Sequence, residues 1–143
     1  MLKKQHTKYI GIDYGKKRTG ISISDYNKVI SFPLDTIETK SLIFYLKDLI
    51  ENEKIEKVVI GKPLKLNNEL HELEIDIIQF IKSLKSSFPQ IIIERIDEIY
   101  TSKISSSIIR QSGINQKSRM NKSIIDKISA SLILESYLTK INK

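Results

Sequence analysis

The chain has 143 residues, no cysteine, a formal net charge of +7 and a pI near 9.5; a chain of this size ordinarily forms one domain and needs no external staple, so 1–143 reads as a single domain. The missing cysteine excludes disulfides, thiolate-rich zinc sites and thiol nucleophiles, fits a reducing compartment, and leaves oxygen as the main donor for any catalytic metal. Apolar runs fall short of the ~18 residues that span a bilayer, and the polar, basic residues 1–7 read as a flexible N-terminus on a cytoplasmic protein whose charge favours nucleic acid over a membrane.

In residues 9–13 and 19–24 apolar side chains alternate with small or polar ones, the period of half-buried strands, with Ile10 and Ile12 on one face and Ile21 and Ile23 likewise. The short glycine-containing connection 14–18 joins them, and the turn at Asp25, Tyr26 and Asn27 leads to a third strand over 29–34. An antiparallel meander results. Leu42, Ile43, Leu46, Leu49 and Ile50 then form a helical stripe that feeds a buried strand at Val58, Val59 and Ile60, ending at Gly61. A second stripe runs from Leu70 to Leu84, with Asn67 and Asn68 as candidate caps, and Pro89 separates it from a strand at Ile91, Ile92 and Ile93. Residues 101–111 look helical and stop at Gly113; a polar segment over 115–122 precedes a last helix over 123–138. Three hairpin strands followed by alternating helices and strands call for an α/β fold: a mixed five-stranded sheet with helices on both faces.

Asp13 ends the first strand beside Gly15, a poor strand position but a well-placed one for a ligand at the carboxyl edge of a sheet. On position alone it reads equally as a turn residue accepting backbone hydrogen bonds. Its surroundings carry more. The segment from Gly11 through Asp13, Gly15, Arg18 and Gly20 to Asp25 resembles the first hairpin of the YqgF family, named for pre-16S rRNA nucleases and for Holliday junction resolvases. Val59-Ile60-Gly61-Lys62-Pro63-Leu64 is similar to that family's Gly-Leu-Pro loop. Asp97-Glu98-Ile99-Tyr100-Thr101-Ser102 is similar to its Asp-Glu-Arg-Leu-Thr segment, and the run from Ile125-Asp126 to Tyr137-Leu138 to its closing helix.

The resemblance, four motifs in order over nearly the whole chain, implies the RNase H-like fold and a metal-dependent nuclease with Asp13, Glu98 and Asp126 as catalytic and metal-binding carboxylates. Asp97 adjoins Glu98, but neighbours on an extended chain point to opposite faces; Glu98 is the choice for the site. Three carboxylates suit Mg²⁺ or Mn²⁺, and two such ions about 4 Å apart serve in-line phosphodiester hydrolysis. The implied partner is pre-16S rRNA or a ribosomal precursor particle, trimmed at its 5′ end. Four-way junction DNA is the rival substrate. Two basic clusters flank the acids in sequence as a phosphate track: Lys16, Lys17 and Arg18, then Lys117, Arg119 and Lys122. Either cluster also reads as ordinary solvated loop charge.

Two positions depart from the family pattern. Ile99 stands where arginine is usual, and Lys62 where leucine is usual, which suggests that Lys62 restores the lost cation as a nucleic-acid ligand. A noncatalytic nucleic-acid module would explain Ile99 but not the retention of all three acids. The sugar kinase and actin-like ATPases share an Asp-x-Gly hairpin but pair two such domains, whereas this chain has a single hairpin of that type.

Overall fold

The computed structural model describes residues 6–63, 67–98 and 120–143. The helix expected over 101–111, the residues Leu64, Ile99, Lys117 and Arg119, and most of the proposed flexible N-terminus lie outside these residues. Strands β1 (Lys8–Asp13), β2 (Arg18–Ser24) and β3 (Ser31–Glu38) form the meander; helix α1 (Leu42–Glu53) leads to β4 (Ile55–Pro63), and α2 (Asn68–Ser87) to β5 (Ile92–Glu98). The last helix, α3, spans Met120–Ile141. The sheet order is β3-β2-β1-β4-β5; the three meander strands pair antiparallel, whereas β1, β4 and β5 run parallel. The mixed five-stranded sheet is as the periodicities imply.

Each face of the sheet has its own core, because the pleat sends successive side chains to opposite sides. On one face Ile10, Ile12, Ile21, Val58 and Ile60 meet Leu42 and Leu46 of α1 and Ile77, Phe80 and Leu84 of α2. On the other, Val59, Tyr9 and Ile96 meet Ile133, Leu134, Tyr137 and Leu138 of α3. Asn67 caps α2, its Oδ1 accepting from the Leu70 amide at 2.9 Å. Arg95 fastens the same helix to the sheet: its guanidinium donates to both carboxylate oxygens of Glu74, at 2.7 and 3.1 Å, and to the carbonyls of Ile60 and Gly61.

The third strand begins and ends later than its apolar residues suggest. Its register on β2 slips between Ile21, opposite Asp35, and Ser22, opposite Pro33, so Leu34 has no partner. The bulge lets a polar continuation, Asp35 to Glu38, stay paired at the sheet's edge.

Helix α3 lies close against the sheet because small residues face each other across the contact. A Cβ on Gly20 would run into the backbone carbonyl of Asp126, and one on Gly11 would crowd Ser22, Leu134 and the Ala130 carbonyl. Hydroxyls then join the layers: Ser22 Oγ donates to the Ala130 carbonyl at 2.7 Å and Ser31 Oγ to the Ser131 carbonyl at 2.9 Å. Thr36 Oγ1 likewise bonds the Ser123 carbonyl.

Candidate active site

Three acidic side chains reach one end of the sheet on the α3 face. Asp13 is two residues past Gly11 on β1, and Glu98 two past Ile96 on β5, so both continue the row that meets α3. Asp126 lies four residues before Ala130 and seven before Ile133, on the sheet-facing stripe of its helix. Glu98 arrives by crossing Gly61: a Cβ there would stand 2.6 Å from Glu98 Cγ and 2.7 Å from Ile133 Cδ1. Since Ile12 pairs with Ile60, Gly61 is level with Asp13, and the path over it ends at that carboxyl.

The Asp13 and Glu98 carboxyl groups lie close enough to act on each other. Burial raises the Asp13 carboxyl well above the usual carboxylate range; the charge of Glu98, the hydrogen bond to it and then the charge of Asp126 push the same way. Asp97 is exposed and lies on the other row, with Ile93 and Arg95, so Glu98 is the member of the acidic pair that meets Asp13.

Asp126 is turned differently. Its Oδ2 accepts from Arg18 Nε at 2.8 Å, with the arginine side chain 48% exposed and the aspartate 23%. Among the described residues no three acids or histidines stand close enough together, as placed, to hold one ion. The donor set nevertheless suits a hard cation. It is all oxygen, and the negative charges of Glu98 and Asp126, which add to burial in raising the Asp13 carboxyl, are ones that a cation would offset.

The basic residues are dispersed. Lys16 forms an exposed ion pair with Glu72 of α2 at 3.0 Å, while Lys17 and Lys122 are exposed. Arg18 faces α3 rather than open solvent alone. Lys62 differs from expectation: it continues the row of Val58 and Ile60 toward the α1 and α2 face, so it stands on the opposite side of the sheet from Asp13 and Glu98. It therefore does not place a cation among these acids.

Thr39 is a positioning residue that the sequence does not announce. Its Oγ1 donates to the Gly15 carbonyl at 2.6 Å and its amide to the Lys17 carbonyl at 2.9 Å, holding the loop between Asp13 and Arg18 from the far end of β3. Tyr14 packs on Phe80 from the other side, ring centroids 5.4 Å apart.

A family model described as RuvX, Holliday junction resolvase, matches residues 7–140. The chain belongs to the RuvX family. A RuvX relative from Flavobacterium psychrophilum, named "Putative pre-16S rRNA nuclease", is 42% identical over 131 residues, covering 92% of this chain and 96% of its own. One of the same name from Bacteroides fragilis is 38% identical over 132 residues, covering 92% and 96%. Among solved structures, RuvC of Thermus thermophilus in complex with a Holliday junction superposes with a TM-score of 0.59 at 10% identity, covering 95% of this chain and 96% of its own. The fowlpox virus resolvase bound to junction DNA gives 0.56 at 16%, covering 96% and 100%. The RuvX chain thus has the RNase H-like fold of the RuvC type.

Proposed function

We propose that this chain is a divalent-metal-dependent nuclease that hydrolyses phosphodiester bonds in structured nucleic acid, and that its substrate is the 5′ region of the 16S rRNA precursor. The observation that carries the reading is the meeting of Asp13 and Glu98 across Gly61, with Asp126 presented to the same end of the sheet. Asp13, Glu98 and Asp126 would hold Mg²⁺ or Mn²⁺, two ions by the chemistry of the reaction class; when bound, they supply an activated water and charge stabilisation at the departing oxygen. The protein's part is to confine the carboxylates on rigid strand ends and to present cations to the phosphate backbone. Lys16, Lys17 and Arg18 follow Asp13 in sequence and Lys122 precedes Asp126, as a phosphate track would require; Lys117 and Arg119 belong to the same expected track.

The RNA reading is supported by the names of relatives such as those from Flavobacterium psychrophilum and Bacteroides fragilis. Four-way DNA is the second reading, favoured by the description of the family model and by the fold shared with a junction-bound resolvase. Under either, residues 1–143 act as one domain in the cytoplasm. No described helix is long and apolar enough to cross a membrane.

The decisive experiment compares wild type and Asp13→Asn on a 16S precursor fragment spanning the mature 5′ end and on a synthetic four-way junction, each with Mg²⁺ and with Mn²⁺. Cleavage of the RNA by wild type alone is expected. Preferential cleavage of the junction would transfer the assignment to DNA, and equal turnover by Asp13→Asn would remove the site.

A further inference from the structure

Arg18 owes its position to the register of β2. It shares a row with Gly20 and Ser22, and those two residues touch the backbone of α3 at Asp126 and Ala130. The guanidinium is thereby delivered to the first turns of a helix 108 residues away in sequence. Its bond to Asp126 uses Nε alone. Arg18 makes no other hydrogen bond or ion pair among the described residues, and its side chain is half exposed, so Nη1 and Nη2 are not engaged by those residues. A guanidinium held by Nε with both terminal nitrogens open presents a fork that fits two oxygens of a phosphate.

The carboxylate it occupies is the one wanted elsewhere. Resting on the nuclease reading above, the geometry points to Arg18 as an exchangeable counter-ion: it neutralises Asp126 while no metal is bound, is displaced when a divalent ion takes that carboxylate, and then serves a backbone phosphate of the nucleic acid. Metal loading and nucleic-acid binding are in consequence coupled through one side chain. No bond is made or broken covalently; one ion pair is exchanged for two others. Reciprocity follows, since a phosphate that draws Arg18 away from Asp126 must raise metal affinity by the factor with which metal raises phosphate affinity.

The test uses Arg18→Gln, which keeps length and polarity but not charge, and two readouts other than cleavage. In calorimetric titration of the metal-free protein with Mn²⁺, Arg18→Gln is expected to bind roughly two- to fivefold more tightly, because a half-exposed competitor has been removed. In anisotropy titrations with a fluorescein-labelled RNA hairpin, Ca²⁺ is expected to tighten binding by wild type and to do so much less for Arg18→Gln. Equal or weaker Mn²⁺ binding by Arg18→Gln, or the same Ca²⁺-induced gain in both proteins, overturns the exchange. Asp13→Asn separates the two levels of inference. If wild type binds Mn²⁺ and Asp13→Asn does not while Arg18→Gln matches wild type, the metal site stands and the role of Arg18 falls; if wild type binds no Mn²⁺, both fall.

Discussion

The Glu98 side chain lies over the α-carbon of Gly61, with its Cγ 2.6 Å and its Cδ 2.8 Å from where a β-carbon would be. Two elements meet on this one missing methyl group, since Ile133 of α3 presses the same spot. Gly61→Ala is expected to push Glu98 off Asp13 and α3 off β4 together, with a stability loss of about 1–3 kcal/mol from overpacking. Cleavage should fall by more than the unfolded fraction explains. Measuring turnover and urea denaturation on the same sample checks this; unchanged turnover would mean that Glu98 has another route to the site.

The raised Asp13 carboxyl has a sign that can be read in the pH dependence of stability. Folding favours its protonated form, so this contribution is fully present below the ordinary value of 3.8 and is lost as pH rises through the raised one. At neutral pH the metal-free protein then carries a penalty that Asp13→Asn, a neutral isostere, does not. We expect the Tm of Asp13→Asn to exceed that of metal-free wild type, by a margin that widens as pH rises above the ordinary carboxyl value of 3.8 and through the raised one. Parallel curves would contradict the assignment.

Lys54 ends α1 in the left-handed conformation with φ of 52°, where a β-carbon costs energy and glycine does not. Lys54→Gly is expected to raise stability by about 1 kcal/mol, with the Lys8 amide still bonded to the carbonyl of residue 54. Thermal melting decides. A fall in Tm would show that the lysine stem contributes more than its backbone costs.

Lys17 and Lys122 are exposed, the first in the loop that follows Asp13 and the second one turn before Asp126 in α3. Replacing both with alanine should weaken nucleic-acid binding similarly for many sequences and reduce the slope of log affinity against log salt by roughly 0.7–0.9 per lysine. If the slope is unchanged, these charges belong to the solvated surface.

Much of the fold was legible because strand and helix periods are local. Ile10, Ile12, Ile21 and Ile23 announce one buried face, and the Leu70 to Leu84 stripe with its Asn67 cap announces α2. The later end of β3 was not, since Asp35 and Thr36 pair at an edge without an apolar period. Asp13, Glu98 and Asp126 could be named from the family motifs. The hold of Arg18 on Asp126 could not, because it follows from how closely α3 settles on Gly20. Glycines inside strands were the available signal of that approach. The side of the sheet taken by Lys62 was within reach of simple alternation from Ile60.

The seam between α3 and the meander joins parts of the chain made far apart in time. Ser22 and Ala130 are 108 residues apart, and Ser31 and Ser131 are 100. During synthesis β1 and β2 emerge long before the helix that must cover Gly11 and Gly20, so that face of the sheet waits bare. Closing so long a loop is slow compared with forming a hairpin. A ribosome-bound chain carrying Asp13 and Glu98 lacks Asp126 until α3 emerges, and the acidic centre can be completed only then.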